Sequence, residues 1–210
     1  MKNLKLYLNE GMHFKLTRDY KKPYNYHPKS KTELKEIVKK LIKERGEEAD
    51  LNDIDTSDIT NMSFLFNGSS FNGDISQWNV SNVIYITCMF QGSKFTGKNG
   101  DISKWDVSKV EDMSWTFNDS VFDGDLSKWD VSKVKTMRWM FANSKFTSKN
   151  GDISNWDVSN VENMECMFLR SKFTGKNGDI SNWNVSKVKD MSRMFKKSPL
   201  EGKEPAWYKK

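Results

Sequence analysis

The stretch Asp152–Phe168, DISNWDVSNVENMECMF, decides the fold of this chain because close copies of it recur along the sequence. Copies of its opening phrase, D-I-S-x-W-[ND]-V-S-x-V, begin at Asp74, Asp101, Asp125, Asp152 and Asp179, and a degenerate copy begins at Asp50. The copy at Asp125 has Leu in place of Ile. The steps between the starts are 24, 27, 24, 27 and 27 residues. This pattern predicts about six tandem repeats over residues 50–200.

Large apolar side chains occupy fixed positions in every repeat, counted here with the opening Asp as position 1. Position 17 is Phe66, Phe90, Phe117, Phe141, Phe168 and Phe195. Position 5 is Ile54, Trp78, Trp105, Trp129, Trp156 and Trp183. Val or a similar residue stands at positions 7 and 10, Met or Ile at position 13, and Phe or Leu at position 22. Stacked repeats would place like side chains on like, so we expect continuous ladders through the core.

The period of 24–27 residues lies in the range of leucine-rich repeats. The segment W-x-V-x-x-V predicts a short strand, and V-x-x-M-x-x-M-F predicts a helical or 3₁₀ turn from its spacing of three and four. The predicted fold class is therefore a leucine-rich-repeat-like solenoid, α/β or mostly β with short helical turns. It would have about six coils and an N-terminal helical cap.

The flanking segments are expected to cap the repeats. Ser30 and Glu33 form a capping box, and Gly46 is a stop signal, so the sequence predicts a helix over about 31–46. This gives three parts: a basic N-terminal region with a capping helix at 1–49, the repeats at 50–200, and a C-terminal tail at 201–210.

The positive charge lies at the ends of the chain. The formal net charge is +6, and residues 1–49 carry 13 Lys/Arg against 7 Asp/Glu, whereas the remainder is balanced. The first sixteen residues lack the continuous apolar segment of a signal peptide, and no stretch is apolar enough for a membrane span. As written, the sequence therefore predicts a cytoplasmic location.

Catalytic constellations are not visible in the sequence. The two histidines, His13 and His27, lie outside the repeats, and Cys88 and Cys166 share position 15 three repeats apart, too far for a disulfide. The opening Asp residues could form a calcium ladder, but capping of a turn by each carboxylate is the favoured interpretation. We therefore expect a non-enzyme without metal or cofactor.

Variable positions of a repeat protein are candidates for partner recognition. The candidate protein-binding residues are Tyr85, Trp115, Arg138 and Trp139, together with Lys104, Lys109, Lys128 and Lys133. Aromatic side chains beside Arg or Lys are typical binding anchors. Two alternatives stay open: the two Trp side chains could pack into the core, and the lysines could serve solubility alone.

The repeat resembles that of the BspA-like leucine-rich-repeat surface proteins of bacteria, which reads WDVSxVxxMxxMF, and the resemblance covers residues 50–200. It implies a right-handed repeat solenoid with a role in adhesion or protein binding, often at the cell surface. The short chain without a secretion signal also resembles copies of this family that are carried by phages and mobile elements.

Two functions from different classes follow. The leading hypothesis is a module that binds a protein partner through the variable face of the repeats. It would act like an adhesin or bind a host or phage factor. The alternative is a binder of nucleic acid or an anionic surface, because Tyr7, Tyr20, Tyr24 and Tyr26 lie among the lysines of the basic N-terminal region.

Overall fold

Regular secondary structure is sparse in this protein. The computed structural model describes residues 24–209. Within them there is one α-helix, α1 (Lys31–Arg45), and one 3₁₀ helix, η1 (Ile180–Asn182). Strands are absent from these residues, where β pairing is limited to isolated parallel bridges such as Tyr85–Asp112. The predicted leucine-rich-repeat-like solenoid, α/β or mostly β, is therefore wrong.

The predicted strand fails because its backbone groups are engaged in local turns. In the third repeat, Trp105 N–H donates to the carbonyl of Ile102 (3.1 Å), and Val110 N–H donates to that of Val107 (2.8 Å). The Asp106 carboxylate also accepts from the N–H of Ser108 (3.1 Å), which is an Asx turn. Groups committed to such turns cannot also form a strand ladder.

The segment predicted as a helical turn is instead a chain of overlapping turns that connects neighbouring repeats. At positions 13, 15, 17 and 19 the N–H groups donate to the next repeat, as Phe90 does to the carbonyl of Thr116 (2.9 Å). The N–H groups at positions 16 and 18 donate three residues back, as Met89 does to Ile86 (3.0 Å). The N–H groups at positions 15 to 19 of an internal repeat are thereby satisfied without helix or sheet.

The core between the repeats consists of stacked aromatic rings. Phe90 and Phe117 of successive repeats have centroids 5.6 Å apart, with an interplanar angle of 4°. Trp78 and Trp105 stack at 6.5 Å and 1°. Each buried indole also donates to a carbonyl of the preceding repeat, as Trp129 Nε1 does to Ile102 (3.0 Å). Hydrogen bonding thus fixes which face of each indole meets its neighbour.

Helix α1 packs against the first repeat. Ser30 Oγ accepts from the N–H of Glu33 (3.2 Å), and Gly46, with φ 89°, donates to the carbonyl of Ile42 (2.9 Å). Its buried side chains, Leu34, Val38 and Leu41, belong to the same apolar core as the repeats. The division of the chain into three parts remains a prediction.

The aromatic ladder continues beyond the sixth repeat. Trp207 stacks on Trp183 with centroids 6.4 Å apart, and its Nε1 donates to the carbonyl of Ile180 (2.9 Å). These are the contacts that position 5 makes within the repeats. The segment after residue 200 therefore begins a seventh repeat that supplies the last ring of the ladder.

Loops of two lengths alternate at the ends of the repeats. Asn72, in the short loop of the first repeat, accepts from both the N–H and the Oγ1 of Thr96 in the long loop of the second (2.8 Å each). Asp123 in the short loop of the third repeat accepts from the same two groups of Thr147 in the fourth (2.7 and 2.8 Å). In the first four repeats the alternation of 24 and 27 residues thus corresponds to pairs of interlocking loops, and the fifth repeat is again 27 residues long.

Candidate binding surface

Position 15, one of the variable candidate positions, has a left-handed backbone in every repeat. Its φ values lie between 54° and 63° at Phe64, Cys88, Trp115, Trp139, Cys166 and Arg193. A side chain other than glycine is disfavoured in this conformation. The turn that requires it is nevertheless kept six times, because its N–H groups connect one repeat to the next.

Trp115 and Trp139 form a stacked pair at this position. Their ring centroids are 4.5 Å apart and their planes differ by 2°. Trp115 N–H donates to the carbonyl of Arg138 (3.0 Å), so the backbone itself holds the two rings one repeat apart. Both side chains are partly buried. They belong neither to the buried core nor to a fully exposed surface, and each ring covers one face of the other.

Arg138 and Tyr85 are exposed. Arg138 directly precedes Trp139. Tyr85, 44% exposed, lies at position 12 and forms parallel bridges with Asn61 and Asp112 of the neighbouring repeats. It is one of two large apolar side chains that are exposed among residues 24–209, and the other is Phe64, at position 15 of the first repeat. Positions 12 and 15 thus each expose one large aromatic side chain, Tyr85 and Phe64.

The four candidate lysines are all exposed, at positions 4 and 9. Lys109 Nζ donates to Asn82 Oδ1 (2.7 Å) in the preceding repeat. In residues 24–209 no cation–π contact connects Lys104, Lys128 or Lys133 with the Trp pair. The structure thus brings Trp115 and Trp139 into contact but leaves the lysines on other positions of the repeat.

A ladder of alternating charges at position 11 was missed at the level of the sequence. Lys135 Nζ contacts Glu111 (2.6 Å), and Lys189 Nζ contacts Glu162 (2.5 Å). The hydrogen bond from Lys189 lowers the pKa of the Glu162 carboxyl, and the hydrogen bond to Glu111 raises the pKa of Lys135. The alternation of Glu and Lys at one repeat position was the available signal.

A shallow depression of about 300 Å³ lies along this charge ladder. It is lined by Glu111, Lys133, Lys135, Asn160, Glu162 and Lys187. Because these ion pairs are exposed, solvent screens their attraction and they contribute little to stability. The depression has neither the apolar lining nor the enclosure typical of a small-molecule site.

The opening Asp residues act on the backbone of their own turns. Asp101 Oδ1 accepts from the N–H of Ser103 (2.8 Å), and Asp125 Oδ1 accepts in the same way from Ser127 (2.8 Å). The same contact occurs at the first position of all six repeats. These carboxylates therefore cap turns, as the favoured interpretation of the sequence expected.

Both cysteines are buried free thiols. Burial raises the pKa of the Cys166 thiol to about 11, and burial also raises the pKa of Cys88. A thiol with a raised pKa is a poor nucleophile at neutral pH. Neither side chain therefore adds reactivity to position 15.

The basic N-terminal region, proposed above as an alternative binding element, is only partly described. Residues 1–23, which include Tyr7 and Tyr20, lie outside the described part of the chain. Of the described lysines, Lys29 contacts Asp58 (2.5 Å), and Lys31 lies over the ring of Phe64 at 5.5 Å. These two lysines are thus engaged with the first repeat, as is Arg45, which pairs with Asp53 (2.8 Å).

Comparisons with known proteins identify a family but not an activity. The family described as "Mycoplasma protein of unknown function, DUF285" matches residues 32–150 and, in a second placement, residues 95–206. Neither the curated proteins nor the solved structures gave a match. In the part of the chain that the structure describes, no helix is both long and apolar enough to cross a membrane. Because the two placements together span helix α1 and all six repeats, the chain belongs to the DUF285 family of repeat proteins.

Proposed function

We propose that this protein is a non-enzymatic interaction module that binds a protein partner through the surface around Trp115 and Trp139. The observation that carries the proposal is the stacked, partly exposed pair itself, with centroids 4.5 Å apart. Trp and Arg are the residues most enriched among the anchors of protein interfaces, and Arg138 is exposed beside the pair.

Preorganisation supports this role. Each Trp is fixed by its own backbone hydrogen bond to the next repeat, and each ring restrains its neighbour by stacking. A partner would therefore lose little side-chain entropy when it covers the pair. Tyr85, exposed in the second repeat, would offer a partner a further ring and a hydroxyl that can donate or accept a hydrogen bond.

The role implied by the resemblance to BspA-like proteins, adhesion or protein binding, is part of this proposal. Display of the repeats at a cell surface, as in that group, is proposed with it. The family description itself names no activity. The surface chemistry at position 15 is therefore the main support.

Affinity capture from a lysate of the source cells, at low and at high salt, tests the proposal. We expect a protein to be retained at both salt concentrations and to be lost with the double variant Trp115→Ala/Trp139→Ala. The control is Phe64→Ala, which removes an exposed ring from position 15 of the first repeat and should leave capture intact.

The outcome that contradicts the proposal is equally specific. Capture of nucleic acid that is lost at high salt and is unaffected by the Trp variants would assign binding to the basic N-terminal region, since phosphate contacts are strongly salt-dependent. Thermal melting of each variant separates loss of binding from loss of folding.

A further inference from the structure

The dipeptide Asn–Gly, at which asparagine readily loses its side-chain amide, occurs five times in this chain. The five asparagines are Asn67, Asn72, Asn99, Asn150 and Asn177. In this reaction the backbone nitrogen of the following residue attacks the side-chain carbonyl carbon of asparagine. Glycine favours the attack because it has no Cβ and its backbone is free to turn. The five dipeptides share this chemistry, so the structure decides which of them reacts.

Hydrogen bonds hold the side chains of Asn67 and Asn72. Asn72 Oδ1 accepts from the N–H and the Oγ1 of Thr96 (2.8 Å each). Asn67 Nδ2 donates to the side chain of Gln91 (2.9 Å), and the N–H of Gly68 donates to the backbone carbonyl of Gln91 (2.7 Å). A side chain held in this way has to lose its hydrogen bond before its carbonyl carbon can turn towards the glycine nitrogen.

In the long loops of the second and fourth repeats, the asparagine is held by the short loop that precedes it. Asn99 Nδ2 donates to the backbone carbonyl of Asn72 (2.7 Å). Asn150 Nδ2 donates in the same way to the backbone carbonyl of Asp123. The interlocking of a short loop with a long one therefore also holds the asparagine of the long loop.

Asn177, in the long loop of the fifth repeat, lacks such a partner. The loop before it belongs to the fourth repeat and is itself long, and there Ser148 Oγ donates to the backbone carbonyl of Asn177 (3.2 Å). Among residues 24–209, no hydrogen bond reaches the exposed side chain of Asn177. The N–H of Gly178 has no acceptor in the same part of the chain. Both reacting groups are thus free of hydrogen bonds, and water reaches the side chain.

We propose that Asn177–Gly178 is a site of spontaneous deamidation, with water as the co-reactant. The Gly178 nitrogen loses its proton and forms a bond to Cγ of Asn177. The bond from Cγ to Nδ2 breaks, and ammonia leaves with that proton, so a cyclic succinimide results. Water then opens the ring at one of its two carbonyls and leaves either aspartate or isoaspartate at residue 177. The proposal does not depend on the binding function proposed above.

The two products should differ in their effect on the stack of repeats. Isoaspartate adds one carbon to the backbone directly before Gly178, which is buried. Space there is limited, since a Cβ on Gly178 would lie 2.8 Å from Ser148 Oγ and 3.4 Å from the side chain of Ile153. The isoaspartate form should therefore have a lower Tm. Aspartate keeps the backbone unchanged and places its charge beside the exposed Lys176, so its Tm should match that of the wild type.

The chain contains its own matched control. Residues 93–103 and 171–181 have the same sequence, SKFTGKNGDIS, so Asn99 and Asn177 have identical neighbours along the chain. They differ in the loop that precedes them in the stack. Any difference between their rates in the folded protein that disappears on unfolding is therefore due to the structure.

Peptide mapping by mass spectrometry of the full chain, incubated at mildly alkaline pH, tests the proposal. In the folded protein, we expect Asn177 to react on the order of tenfold faster than Asn99, which first has to lose its hydrogen bond. In concentrated urea the two rates should be equal. The variant Asn177→Gln should abolish the mass change in this peptide, and Asn177→Asp should melt like the wild type.

Three results would overturn the proposal. These are equal rates at Asn99 and Asn177 in the folded protein, the absence of conversion at Asn177, and a difference between the two rates that persists in urea. Fragmentation of the aged peptide distinguishes isoaspartate from aspartate. Ion exchange then separates the modified protein from the unmodified protein for thermal melting.

Discussion

Arg170→Gly should stabilise the protein, although it deletes a large side chain. Arg170 lies at position 19, where the backbone is left-handed in all six repeats, and its φ is 52°. In the first two repeats the residue at this position is Gly68 or Gly92. Arg170 is exposed, and its N–H donates to the carbonyl of Lys196 (2.9 Å), a bond that glycine retains.

The expected magnitude follows from two opposing effects. A left-handed conformation costs a residue with a Cβ about 1–2 kcal/mol. Glycine loses about 0.4–1 kcal/mol more conformational freedom on folding. The net gain is therefore about 0.5–1 kcal/mol, which corresponds to a rise in Tm of about 1–4 °C for a chain of this length.

Calorimetry or thermal circular dichroism of purified variants measures this gain. Lys172→Gly is the matched control, because Lys172 is exposed two residues later but has no left-handed backbone. It should lower Tm. Asn143→Gly, also at position 19, should raise Tm by less, since Asn tolerates the left-handed region. A fall in Tm for Arg170→Gly as large as that for Lys172→Gly would refute the argument.

Three further predictions concern the contacts that hold the repeats together. Gly73→Ala should lower the free energy of unfolding by about 1–3 kcal/mol or more, measured by urea denaturation, because a Cβ there would lie 2.0 Å from the carbonyl oxygen of Ala49. Trp129→Phe should cost about 1–3 kcal/mol in the same assay, because it leaves the buried carbonyl of Ile102 without its indole donor (3.0 Å). Hydrogen bonds from the guanidinium of Arg45, the last residue of helix α1, lower the pKa of Asp53 from 3.8 to about 2. The ionised Asp53 carboxylate therefore stabilises the folded state fully above about pH 4, and this stabilisation is lost as the pH falls through 2. The difference in Tm between wild type and Asp53→Asn should shrink over that interval.

The ladders of the core could be predicted because identical residues recur at identical positions. Phe at position 17 stacks on its counterparts as the sequence indicated, for example Phe90 on Phe117. At position 5, Trp78 stacks on Trp105 and Trp156 stacks on Trp183. The ends of helix α1 could be predicted for a local reason, since Ser30 and Gly46 are capping signals. In both cases the decisive information lies in the residue type.

The conformation of the turns could not be predicted in this way. Sequence rules associate a left-handed backbone with Gly or Asn, but position 15 carries Phe, Cys, Trp or Arg. The hydrogen bonds between repeats impose the conformation, and a single repeat does not contain them. The spacing of three and four around Met113 and Phe117 therefore suggested a helical turn, and Trp105–Val110 suggested a strand.

The candidate site was predicted in part. The sequence singled out Trp115 and Trp139, both at position 15, but left open whether they pack into the core. The structure shows two rings that partly cover each other. The contact between Glu111 and Lys135 was missed, although the residues at position 11 alternate in charge from the third repeat onward. Which faces of the repeat share a surface depends on the turns, so the grouping of the lysines with the Trp pair remains a prediction.

The interlocking of short and long loops bears on how such a chain can change its length over evolution. Asn72 accepts from Thr96, and Asp123 accepts from Thr147, so a short loop is followed by the long loop that fits it. Recombination that duplicates or deletes residues 50–100 or 101–151 as a block would preserve every such contact. Loss of one of the first four repeats would leave an unmatched loop, whereas the fifth repeat, 27 residues long after another repeat of 27, has no short-loop partner. Homologous genes should therefore differ in length by two-repeat blocks or by single long repeats, and each added unit would lengthen the ladder of stacked rings.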